Sequence, residues 1–207
     1  MNLPNKITVA RIALAVSILL LLLIPWYDLG IVFPTYVLQG KIIVDLKYII
    51  AGVLFVIASL SDFLDGHIAR SRNLVTDFGK VMDAIADKIL VNGILIVLAY
   101  DGLISIAVPV IIITRDIIVD SCKMISGNKG KVVAASMTGK IKTACMMVGI
   151  TLTMFYNLPF ELWNIRVSDA LLIIACVLSI ISAVEYFNMT KDLFLDNNSK
   201  KEELEVK

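Results

Sequence analysis

Six apolar runs, at about residues 12–27, 48–61, 81–100, 103–121, 143–158 and 168–188, are separated by stretches in which the charged residues collect. None of the runs alternates apolar and polar positions as a half-buried strand would, and no internal repeat is evident. With their polar ends included, the runs approach the roughly 20 residues that a helix needs to cross a bilayer. Only helices and closed barrels cross lipid, because every backbone donor and acceptor must be satisfied internally. The runs are too continuous for barrel strands. The pattern therefore predicts an all-α polytopic membrane protein with six transmembrane helices. Lys6 and Arg11 precede or open the first run in the manner of a signal peptide, but no small-residue cleavage site follows, so it is read as a retained span.

Composition strengthens this reading. The chain has 207 residues and is 58% hydrophobic, with a mean hydropathy of +0.87. Soluble domains are about 45–50% apolar, so the excess exceeds what one water-soluble core would bury. The formal net charge of +1 gives no basic surface for a nucleic acid, and none is expected as a partner. The three cysteines, Cys122, Cys145 and Cys176, lie in or beside apolar runs without C-x-x-C spacing and read as small hydrophobes.

The placement of charge sets an orientation. Lys6 and Arg11, Asp62 to Arg72, Lys80 to Lys88, Arg115 to Lys123, Lys140 and Lys142, and Glu185 and Lys191 all fall at helix ends on one side of an alternating six-helix array. The other side keeps only Lys41, Lys47 and Arg166 as basic residues. The positive-inside rule makes the charged side cytoplasmic, with both termini inside a multi-pass plasma-membrane protein. Asp28 to Lys47 then reads as an external loop, and Ser126 to Gly130 as a turn. Trp26 and Trp163 read as interfacial anchors. Residues 1–190 are expected to form a single domain, followed by a charged, disordered tail at 191–207.

The stretch Ser61–Asp87, SDFLDGHIARSRNLVTDFGKVMDAIAD, concentrates the candidate chemistry. Asp62 and Asp65 are three apart and Asp83 and Asp87 four apart, so each pair shares a helix face. The short link makes the two helices antiparallel neighbours, and the pairs can face each other. Aspartate at the centre of a membrane helix costs roughly 2.5–3.5 kcal/mol. Four should therefore point inward and share a positive partner. Arg70, Arg72, Lys80 and Lys88 are too few and too flexible for that purpose. A hard divalent cation held by oxygen ligands, Mg²⁺ or Mn²⁺, suits the set, and two ions can share four carboxylates. His67, the single histidine, is not expected to be a ligand. Gly66 and Gly79 flank the aspartates and leave room for a substrate phosphate or base to approach the backbone. A divalent-cation transporter would use similar residues, but nearer the midplane and on broken helices. An inactive scaffold is the third reading.

The pattern D-x-x-D-G-x-x-A-R, eight residues, then G-x-x-x-D-x-x-x-D resembles the signature of the CDP-alcohol phosphotransferases. Asp62, Asp65, Gly66, Ala69, Arg70, Gly79, Asp83 and Asp87 fill it. The resemblance, which covers nearly the whole chain, implies an enzyme that joins a CDP-linked alcohol, usually CDP-diacylglycerol, to an acceptor alcohol and releases CMP. It implies that Asp62, Asp65, Asp83 and Asp87 hold the metal and that Asp87 is the catalytic base. It assigns Gly66, Ala69, Arg70, Thr76 and Gly79 to the nucleotide-lipid. The opening N-x-x-T-x-x-R, through Asn5, Thr8 and Arg11, lies under the nucleotide in that family, and a helix cap is the alternative role for Asn5 and Thr8. Homodimers are common among its members.

Arg115 and the segment Ser136-x-x-Gly139-Lys140-x-Lys142-Thr143 resemble the branch of the family whose acceptor is glycerol 3-phosphate. A dianionic phosphate needs several fixed cations, and the resemblance implies Arg115, Lys140 and Lys142. Lys140 and Lys142 are two apart, so a regular helix points them in different directions. An inositol phosphate or serine is the alternative acceptor.

Overall fold

A computed structural model describes the backbone of residues 3–38, 40, 42–71, 77–128 and 136–205, and their side chains except at 3–6, 63–71, 77, 78, 80, 128 and 192–205. Six helices form: α1 (Leu3–Leu23), α2 (Leu46–Ser71), α3 (Asp77–Tyr100), α4 (Ala107–Asn128), α5 (Met137–Met154) and α6 (Val167–Glu205). Each of the six apolar runs supplies one, with shifted ends. The first run stops at Leu23 rather than Tyr27 because Pro25 disfavours helix at the residue before it. The fourth continues through Ser126–Asn128, which composition alone reads as a turn. The charged stretch from Lys191 to Glu205, expected to be disordered, continues α6; it is rich in Lys, Glu and Leu, good helix formers.

The segment read above as an external loop contains two strands. Thr35–Leu38 (β1) and Ile42–Asp45 (β2) pair antiparallel, with Thr35 opposite Asp45 and Leu38 opposite Ile42. Their β-branched and aromatic content favours strand. Gly40, at φ +67°, lies between them in a conformation glycine adopts freely. The Asp45 N–H donates to the Tyr156 hydroxyl at 3.0 Å, and the Tyr27 hydroxyl donates to the Asp45 carboxylate at 3.1 Å.

The chain divides into two compact units. The first comprises residues 1–106 and 150–168. In it α1 packs on α2 and α3 through a stripe at helical spacing: Thr8, Arg11, Ala15, Ile18 and Leu22. Facing positions include Phe55 and Ala58 on α2 and Ala86, Leu90 and Ile94 on α3, all buried. α1 comes close to α3 at Gly93, where a Cβ would stand 2.7 Å from Leu19 Cδ2. Small residues permit such contact between helices in lipid. Gly93→Ala should therefore destabilise by about 1–3 kcal/mol through overpacking, seen as a lower melting temperature in detergent. Adding Leu19→Ala should recover part of the loss; no recovery would mean that the clash is not with Leu19. At the end of this unit, Asn157 accepts the Ser168 N–H at 3.1 Å and donates to the Ile165 carbonyl at 2.7 Å, fixing the entry to α6.

The second unit comprises residues 107–149 and 169–207. Its buried stripes are Val108, Ile112, Val119 and Cys122 on α4, Lys142 and Met146 on α5, and Leu172, Ala175, Ser179, Ser182, Tyr186 and Thr190 on α6. The opposite face of α6 exposes Ile173, Val177, Ile180 and Val184. Hydroxyls inside and branched aliphatics outside invert the pattern of a soluble amphipathic helix and suit a helix bathed in lipid. Among the described residues, Val167–Lys191 is the one helical stretch long and apolar enough to cross a membrane, and Ile7–Leu23 is a shorter apolar helix. Charged residues interrupt other helices, as Asp62 and Asp65 do in α2 and Arg115 and Asp116 in α4.

Candidate active site

The aspartates take the helical positions that their spacing requires. Asp62 and Asp65 lie on α2, and Asp83 and Asp87 one turn apart on α3. The buried stripe of α1 carries Arg11 to the same place. Its guanidinium donates through Nη1 to Asp62 Oδ1, and through Nη2 to Asp83 Oδ1 at 2.5 Å. The Arg11 side chain is 1% exposed, whereas Asp62 and Asp83 are 39% and 46% exposed. The cation is thus covered by protein while the carboxylates remain open to an incoming ligand. A buried guanidinium without counter-charges would be strongly unfavourable, and among the described side chains each of the two helices supplies a carboxylate. Asp87 is half-buried.

Asp62 and Asp83 therefore address a single cation from two helices. Their donors are hard oxygens, as Mg²⁺ or Mn²⁺ prefers, with no thiolate or imidazole beside them among the described residues. The donor set fits a hard divalent ion. Among the described residues no group of three or more His, Cys, Asp or Glu side chains is placed to hold one, and the Asp65 side chain lies outside that description. So do the side chains of Asn5, His67, Ala69 and Arg70, together with Gly66 beyond its backbone and Thr76 altogether. Thr8 is buried on the same stripe as Arg11, and Gly79 is partly exposed near the start of α3. Arg11 matters more to this arrangement than its place in the opening motif suggested. The available signal was its i,i+3 relation to Thr8 and i,i+4 relation to Ala15 on an otherwise apolar helix.

The second unit holds a cationic cluster. Arg115 Nη1 donates to Asp116 Oδ1 at 2.9 Å, and Nη2 donates to Ser182 Oγ at 2.5 Å. Lys142 Nζ donates to the same Asp116 oxygen at 3.0 Å. Lys142 is 2% exposed, while Lys140, two residues earlier, faces outward. The helix thus separates the two lysines and sends Lys142 to the side of Arg115. The start of α5 is pinned to α6: the Ser136 N–H donates to the Tyr186 hydroxyl at 3.1 Å, and the Thr138 hydroxyl donates to Glu185. Gly139 leaves space beside this cluster, since a Cβ there would lie 3.4 Å from Arg115 Nη2. Arg115 and Lys142 thus share one carboxylate, Asp116, and Glu185 joins the same cluster through the hydroxyls of Thr138 and Ser136. Ser182, Glu185 and Tyr186 were not singled out by sequence, although their 3- and 4-residue spacing along α6 marks one face.

Comparison with known proteins agrees over nearly the whole chain. The sequence model of the CDP-alcohol phosphatidyltransferase family matches residues 1–181. A Bacillus subtilis protein named CDP-diacylglycerol–glycerol-3-phosphate 3-phosphatidyltransferase is 37% identical over 199 residues, covering 95% of this chain and 99% of that protein. Proteins of the same name from Mycoplasma genitalium and Rickettsia bellii are 34% and 31% identical, covering 81% and 93% of this chain and 68% and 97% of their own. With aspartates of α2 and α3 meeting one arginine of α1 and the family model matching residues 1–181, this chain belongs to the CDP-alcohol phosphatidyltransferase family.

Proposed function

We propose that this protein transfers a phosphatidyl group from CDP-diacylglycerol to glycerol 3-phosphate, yielding phosphatidylglycerophosphate and CMP. The observation that carries the reading is the near end-to-end similarity to the Bacillus subtilis relative of that named activity. The acceptor hydroxyl oxygen forms a bond to the lipid-bearing phosphorus, the bond from that phosphorus to CMP breaks, and the hydroxyl proton passes to Asp87. The family uses divalent metal ions. In this reading Asp62, Asp65, Asp83 and Asp87 hold two, Mg²⁺ or Mn²⁺, which supply charge stabilisation at the transferring phosphate. Asn5, Thr8, Gly66, Ala69, Arg70, Thr76 and Gly79 receive the CDP-lipid. Arg115 and Lys142, with Lys140 at the rim, receive the acceptor phosphate.

The family and the apolar, outward face of α6 mark a membrane protein. The finer proposal is six spans with both termini and the aspartates on the cytoplasmic side of the plasma membrane. Residues 1–190 act as one catalytic domain, and the protein assembles as a homodimer. Purified protein given CDP-diacylglycerol and a panel of acceptors should release CMP best with glycerol 3-phosphate, and chelation should abolish release. Preference for serine or inositol phosphate would overturn the acceptor and leave the family chemistry intact. Turnover that survives full chelation would overturn the metal assignment.

A further inference from the structure

An arginine on an apolar helix can remain charged and covered only if its donors are matched by acceptors. Among the described side chains, Arg11 finds such acceptors in two carboxylates, one on α2 and one on α3, each taken by a different terminal nitrogen of the same guanidinium. Asp62 and Asp83 are also expected metal ligands, so the carboxylates that hold Arg11 are carboxylates that an ion needs. A planar guanidinium spanning two carboxylates makes a tight charge-assisted fork. An ion and the fork therefore compete for the same two carboxylates, and two cations held side by side repel.

We propose that Arg11 is a tethered counter-cation of the aspartate site: it grips Asp62 and Asp83 when no ion is bound and must release at least one of them for a divalent ion to enter. The inference rests on the metal reading given above. Arg11 has two effects in this scheme. It relieves repulsion between carboxylates that would otherwise push α2 and α3 apart, and it lowers apparent metal affinity, because the gripped state is not competent to bind. Arg11 is a positioning residue, acting through Asp62 and Asp83.

The test is a titration of the full-length protein, purified in detergent and stripped of metal, with Mn²⁺ alone and no substrate. Arg11→Gln should bind Mn²⁺ about tenfold more tightly than wild type, equivalent to about 1.4 kcal/mol. The melting temperature of the stripped variant should fall, and saturating Mn²⁺ should restore most of it. Arg11→Lys keeps the charge and loses the fork, so it should bind Mn²⁺ more tightly than wild type by a smaller factor. It also carries the test if Arg11→Gln fails to fold. Unchanged or weaker Mn²⁺ binding in Arg11→Gln overturns the proposal. Wild-type affinity in Arg11→Lys shows that charge alone counts and overturns the competing grip. Asp62→Asn separates the two readings. If it binds Mn²⁺ as wild type does, or if wild type binds none, the metal reading itself fails. If it loses Mn²⁺ while Arg11→Gln matches wild type, only the role of Arg11 fails.

Discussion

Asp87→Asn should leave a folded protein that binds CDP-diacylglycerol but turns it over about 10²–10⁴-fold more slowly, the usual cost of losing a general base. Asparagine preserves the shape of the side chain while removing its capacity to take a proton. Asp87 is half-buried on α3, one turn beyond Asp83. Asp87 is also an expected metal ligand, and metal binding has to be measured alongside CMP release. Lost turnover with retained metal identifies the proton acceptor, whereas parallel loss of both identifies a ligand. Near-normal turnover in Asp87→Asn, with Asp62→Asn inactive, would show that the proton goes elsewhere.

Arg115→Ala should raise the Michaelis constant for glycerol 3-phosphate by about 10–100-fold, the range given by losing a charge-assisted contact of roughly 1.5–3 kcal/mol. The constant for CDP-diacylglycerol should move much less. Asp116 still has Lys142 when Arg115 is removed, since both cations meet the same oxygen at 2.9 and 3.0 Å. The cluster therefore retains one of its two ion pairs. Arg115→Lys should recover only part of the affinity, because a point charge cannot reproduce a bidentate fork. The burial of Lys142 adds a contrast that spacing alone did not provide. Lys142→Ala should weaken glycerol 3-phosphate in the same way as Arg115→Ala, whereas Lys140→Ala, at an exposed position, should weaken it less. Equal damage to both substrates in Arg115→Ala would make Arg115 a structural residue. A larger effect at Lys140 than at Lys142 would place the acceptor phosphate outside the buried cluster.

The sequence by itself determined the features that depend on spacing within one helix or on composition. The six apolar runs became six helices, and the i,i+3 and i,i+4 intervals placed Asp62 with Asp65 and Asp83 with Asp87. The motif spacing was sufficient to place the chain in its family. Tertiary structure decided the pairings that join distant segments. Arg11 meets partners 51 and 72 residues away, and its spacing from Thr8 and Ala15, which sets its helix face, does not tell which carboxylates that face meets. Lys142 rather than Lys140 reaches Arg115 because of the rotation of α5 against its neighbours, and a rotation is a property of packing. Nothing local in α6 marks Ser182 as a partner of Arg115, from which its hydroxyl accepts at 2.5 Å. The hairpin at 35–45 was hidden for a similar reason: two four-residue strands carry little periodic signal, and their end is tied by Tyr27 and Tyr156, the second of them more than a hundred residues away. Helix formation is encoded locally because each backbone bond closes four residues back. A charge chooses its partner only after the helices have packed.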